Sequence, residues 1–151
     1  MKKIALMALL AGGTLFYSCE SFKCNIPEDD NYRSKTDVCD LNATLDKFIG
    51  NWTGAPGPYP FNVSKGTNNE YKLNVLTNMG LTNGQGIQRN AVQLNNWQVT
   101  QDQATLSTTT FYEGEISATI TYTSSNLMGI NYTLSGFGIP YDGVHEEIFT
   151  K

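Results

Sequence analysis

Ile116-Ser117-Ala118-Thr119-Ile120-Thr121-Tyr122-Thr123 alternates apolar and polar residues without a break. Successive side chains of an extended chain point to opposite faces, so Ile116, Ala118, Ile120 and Tyr122 share one face and the hydroxyl residues share the other. The polar partners are mostly β-branched Thr, which suits a pleated, hydrated outer surface. The same rhythm continues after Ser124-Ser125-Asn126, a turn signal, with Ile130, Tyr132 and Leu134 against Asn131, Thr133 and Ser135. Upstream, Tyr59, Phe61 and Val63 alternate with Pro60, Asn62 and Ser64, and Tyr71, Leu73 and Val75 with Lys72 and Asn74. Less regular strands fit at 87–94, 97–101, 104–112 and 144–150, with turn chemistry at Lys65–Asn69, Asn83-Gly84, Asn95-Asn96, Glu113-Gly114 and Pro140–Gly143. Eight or nine short strands with no helix between them predict an all-β antiparallel meander. Closing the sheet removes its exposed edges, which favours a small barrel of about eight strands over a sandwich.

One helix is expected ahead of the sheet, within Asp40–Gly50. Asp40 or Asn42 can cap it, Leu41, Leu45, Phe48 and Ile49 share a face, and Gly50 can end it. Leu45-Asp-Lys-Phe-Ile-Gly-Asn-Trp52, a short helix running into Gly-x-Trp on the first strand, resembles the opening of the lipocalins. The stretch 41–151 is similar to the lipocalin-like (calycin-like) barrels carried by Gram-negative lipoproteins. The resemblance implies a barrel domain over 41–151, with Gly50 and Trp52 at its opening. The Arg that many lipocalins set over that Trp from a late strand has no counterpart, since Arg33 and Arg89 are the only arginines.

The chain begins as an exported protein would. Met1-Lys2-Lys3 is a basic start, and Ile4–Tyr17 is an apolar stretch too short to span a bilayer, which needs about 20 such residues. It ends in Leu15-Phe-Tyr-Ser-Cys19, similar to the lipobox of bacterial lipoproteins. That resemblance implies a signal peptide over 1–18, a lipidated Cys19 and a membrane-anchored location in the cell envelope, at the outer membrane. Cleavage leaves about 133 of the 151 residues, the size of one domain. Residues 19–40 have mixed charge and low hydrophobicity and are expected to form a mobile tether. Of three cysteines, lipidation of Cys19 leaves Cys24 and Cys39 as an even pair in an oxidising compartment. Their disulfide would close a loop of about 15 residues and contribute about 3 kcal/mol. Free thiols or a metal site are the rival readings, the latter disfavoured by a single His and the lack of CxxC. Glu28, Asp29, Asp30, Asp37 and Asp40 lack the ordered spacing and Gly of a calcium loop and read as a solvated spacer.

The net charge is −4, or −6 once Lys2 and Lys3 leave with the signal, which argues against a nucleic-acid partner. No catalytic, metal or cofactor set stands out. His145 reads as a surface or strand-end residue, neither GxSxG nor HExxH occurs, and Glu113 and Glu115 flank a hairpin Gly. The chain is therefore expected not to be an enzyme. Trp52, Tyr71, Tyr122 and Tyr132 fall in the inward phase and are the candidate pocket residues. A barrel of about eight strands is either just filled by side chains or holds one small ligand. Two function classes follow. One is a binding module for a small apolar or glycan ligand; the other is a structural or interaction protein, meeting an envelope macromolecule through its outer face or loops 78–86 and 137–143. Trp52 is expected to dominate the core, and Trp97, just past the Asn95-Asn96 turn, to matter much less. If Cys19 carries the anchor, the wild-type chain expressed in a Gram-negative host partitions into detergent and Cys19→Ser stays aqueous; identical partitioning of the two refutes the anchor.

Overall fold

The computed structural model describes residues 21–55, 59–68 and 70–151. The expected signal peptide over 1–18 and Cys19 lie outside them. After helix α1 (Leu41–Asp46) come eight strands: β1 (Gly50–Ala55), β2 (Pro60–Lys65), β3 (Lys72–Thr77), β4 (Val92–Thr100), β5 (Gln103–Phe111), β6 (Gly114–Ser124), β7 (Leu127–Ser135) and β8 (Gly143–Thr150). They form one closed barrel in sequence order, antiparallel throughout. The quoted stretch is the middle of β6, where Ile116, Ala118 and Ile120 are buried as the alternation requires.

The helix is shorter than expected. Asp40 caps it by accepting from the Ala43 amide at 3.0 Å, but it ends at Asp46, and tighter turns carry Phe48 and Ile49 back to Leu45 and Asp46. Gly50 is the first residue of β1 rather than a helix stop; its φ of +136° swings the chain out of the turn, which a side chain would resist.

Asn95-Asn96 is not a turn either. Strand β4 runs straight through it as a β-bulge, with Leu94 opposite Val75 and Trp97 opposite Leu73, and Asn96 takes a φ of +65°. The two strands expected at 87–94 and 97–101 are thus one, and 87–91 belongs to a loop. Carried inward by the bulge, Trp97 heads the largest fully buried side chains, with Phe48, Phe61, Phe111 and Phe149. This corrects the low weight expected for Trp97, because a bulge, unlike a turn, keeps the following residues in the sheet.

Residues 21–40, expected to form a tether, lie against the barrel through a set of polar contacts. Cys24 and Cys39 stand at disulfide distance, their Cα atoms 4.8 Å apart. Asp29 is fully buried, receiving the Tyr71 hydroxyl and, at 2.8 Å, the Asn31 amide. The Gln101 amide donates to the Glu28 carbonyl at 2.7 Å, and Lys47 Nζ lies 2.5 Å from Asp30 and 2.7 Å from Asp102. Composition measures hydrophobicity and misses such long-range polar pairing.

This segment and α1 close the barrel end at which β1 starts. Phe48 is buried edge-on to Tyr122, and its carbonyl accepts from Trp52 Nε1 at 2.8 Å. Lys151 Nζ lies 4.5 Å from the centre of the Trp52 ring. At the opposite end are the β3–β4 connection, 78–91, and the β7–β8 connection, 136–142.

Both Trp→Ala replacements should cost about 3–5 kcal/mol in denaturant unfolding, with Trp97 at least as costly as Trp52. Their Phe variants should separate. Trp52→Phe loses the bond to Phe48, whereas Trp97 Nε1 is buried without a partner among the described residues, so Trp97→Phe also relieves a desolvated N–H and should be milder. A Trp97→Ala protein of nearly wild-type stability would contradict this placement.

Candidate functional site

Strands β7 and β8 pair from Leu127↔Thr150 to Leu134↔Gly143. On β7 the inward phase is Met128, Ile130, Tyr132 and Leu134, and on β8 the facing positions are Phe149, Glu147 and His145. A carboxyl and an imidazole therefore enter a wall that is otherwise apolar. Burying a carboxylate is costly unless hydrogen bonds replace its water. Two tyrosines supply them: Tyr59 donates to Glu147 Oε2 at 2.5 Å and Tyr132 to Oε1 at 2.6 Å. Tyr59 is placed for this by its edge-on packing against Phe149, with ring centroids 5.6 Å apart.

His145 lies on the Tyr132 ring, stacked at 4.8 Å with 18° between the planes. Its Nε2 is 2.7 Å from the Tyr141 carbonyl oxygen, an acceptor, so Nε2 carries a proton. The Tyr141 hydroxyl meets Thr82 Oγ1 at 2.5 Å, which ties the two long connections together across the mouth. Loop 78–91 folds partly inward, with Met79 and Leu81 buried as a plug.

Between plug and wall remains a cavity of about 270 Å³. Met79, Leu81 and Leu134 give it an apolar side, Tyr59, Tyr132 and Tyr141 its aromatic walls, and Glu147, His145 and Gln88 its polar groups. A larger recess of about 470 Å³ runs along Gly129–Asn131 and Glu146–Ile148. It is a trough in the sheet surface, where Gly129 contributes no side chain and an added Cβ would touch nothing within 4 Å. The mouth cavity is the better site because its polar and aromatic groups converge on one space.

The expected pocket residues do not meet in one place. Tyr132 lines the mouth cavity. Trp52, Tyr71 and Tyr122 belong to the closed end, where Trp52 bonds Phe48, Tyr71 donates to Asp29 and Tyr122 packs on Phe48. Strand phase decides which face a residue occupies but not which end of the barrel. Tyr59, His145 and Glu147 were missed as site residues. The signal was available, since His145, Glu147 and Phe149 are two apart and share a face, and His145 is half-buried rather than a bare strand end. Cys24, Asp29 and Cys39 bring their ligand atoms within 4.8 Å of one another, but the disulfide uses both sulfurs and leaves one carboxylate.

Compared with models of known protein families, with curated proteins and with solved structures, the chain matches none.

Burial, and then donation to Glu147, pushes the Tyr59 and Tyr132 hydroxyls well above the ordinary tyrosine value of 10.0. Unfolded tyrosines lose their protons first, so this contribution is complete below pH 10 and fades as the pH rises above it. Urea unfolding across pH 8–12 should show stability falling above about pH 10, with a shallower fall in Tyr59→Phe. Equal slopes in the two proteins would rule out the buried tyrosine pair as the cause.

Proposed function

We propose that this chain is a membrane-anchored envelope lipoprotein, held through Cys19, whose lipocalin-like barrel is a non-catalytic binding module for a small ligand seated at the barrel mouth. The observation that carries the reading is the convergence of the Glu147 carboxyl, the Tyr59 and Tyr132 hydroxyls and an apolar side on one cavity of about 270 Å³. That volume lies just below the range of about 300–1,000 Å³ usual for small-molecule pockets, so the ligand is small. The rest of the interior is filled by Trp97, Phe61, Phe111, Phe149 and the aliphatic residues around them.

Of apolar and glycan ligands, the polar one suits this cavity. A wholly apolar molecule would strip water from Glu147 and His145 and return no hydrogen bond. A sugar-like molecule can donate to the carboxyl and lay its C–H face on a tyrosine ring. The non-catalytic reading draws support from His145, whose hydrogen bond among the described residues goes to a backbone carbonyl and not to a hydroxyl or thiol nucleophile.

A second reading, an interaction protein of the envelope, is favoured by exposed apolar residues around the mouth. Ile139 is fully exposed, and Ile87 and Val144 are largely so. Titrating the soluble domain with monosaccharides and small amines by amide NMR separates the two. Shifts confined to 80–81, 88, 130–134 and 145–147 are the expected result. If no compound moves these residues, the binding-module reading falls and the interaction reading replaces it.

A further inference from the structure

We infer that the mouth cavity selects ligands bearing a cationic amine, with Glu147 as the counter-charge and the tyrosine rings as the surrounding cage; this rests on the binding-module reading above. The first reason is charge. Among the described residues that line the cavity there is one carboxyl and no Lys or Arg. Glu147 has no cationic partner in any ion pair of the described residues, and both its oxygens are engaged only by neutral phenols. The basic side chains nearest the two barrel ends are already committed elsewhere. Arg89 holds Glu113, Lys47 bridges Asp30 and Asp102, and Lys151 sits over Trp52 at the closed end.

The second reason is the shape of what surrounds the charge. Tyr59, Tyr132 and Tyr141 line the same cavity as the carboxyl, with His145 stacked on Tyr132. Aromatic faces attract cations through their negative quadrupole, most strongly where water is excluded. Each Glu147 oxygen accepts a single hydroxyl and keeps a free lone-pair direction, while the two phenols hold the carboxyl in position. A ligand carboxylate or phosphate would meet repulsion here, and a neutral ligand would leave the charge without a counter-ion. An ammonium group satisfies both the carboxyl and the rings, and an amino sugar or a small quaternary amine is of a size for the space.

The test uses matched pairs that differ only in charge. The soluble domain is titrated by calorimetry and amide NMR with choline and its neutral carbon isostere 3,3-dimethyl-1-butanol, and with glucosamine and glucose. At least one cationic member should bind about tenfold or more tightly than its neutral partner, with shifts at Tyr132, His145 and Glu147. Glu147→Gln, which keeps an acceptor for the tyrosines, should erase that preference. The isostere comparison needs no variant, so it stands even where Glu147→Gln unfolds. If neutral and cationic members bind the cavity equally, the amine inference is overturned while the binding module survives. Failure of all four to bind would overturn both.

Discussion

The barrel closes through a short seam in which Thr53, Gly54 and Ala55 of β1 pair with Thr150, Phe149 and Ile148 of β8. A β-carbon on Gly54 would stand 2.9 Å from the Phe149 ring and 3.3 Å from Glu147 Oε2. Only glycine leaves room on that face for the ring of its own cross-strand partner. Phe149 in turn packs on Phe61, with centroids 4.4 Å apart, and against Tyr59. The hydrophobic centre and the hydrogen bond that orients Glu147 therefore both depend on one missing methyl group.

The two ends of the barrel are built on different physics. At the closed end, Lys47 is almost covered, but its partners Asp30 and Asp102 keep 36% and 67% of their side-chain surface exposed. Ion pairs this wet contribute about 1 kcal/mol or less. The docking of residues 21–40 rests instead on the buried Cys24 and on Asp29, which Tyr71 and the Asn31 amide satisfy away from water. At the mouth, Thr82–Tyr141 cross-links the two long connections, while the bidentate Arg89–Glu113 pair, with Arg89 over the Tyr112 ring, ties the β3–β4 connection to the β5–β6 turn. One end is closed over; the other is a framed opening.

A polar cluster inside such a barrel lowers stability unless it is fully paired, because an apolar residue at position 147 would need no compensating bonds. The cluster around Glu147 is paired, and at a cost in specialised neighbours: two buried phenols, a stacked imidazole and a glycine. The two tyrosines hold the carboxyl in position within an otherwise apolar wall.

Period-two alternation from Tyr59 onward, with turn residues between, was enough to read an antiparallel barrel of about eight strands from the chain alone, and cap and face residues were enough to read the helix before it. Side-chain phase is a local property, settled by neighbours two positions away. The Cys24–Cys39 pairing was legible for a similar reason, since counting cysteines needs no coordinates. What local phase cannot express is height along the barrel. Trp52, Tyr71, Tyr122 and Tyr132 share an inward phase, but strand direction and register send three to the closed end and one to the mouth. The bulge at Asn95-Asn96 looked like a turn because both place asparagine at positive φ, and only pairing with β3 shows the strand continuing. Lys151 over Trp52 and Glu147 between Tyr59 and Tyr132 join residues up to 99 and 88 positions apart. Contacts at that separation exist only once the seam has closed. The sequence by itself determined the fold; the tertiary structure alone decided which of its side chains form a site.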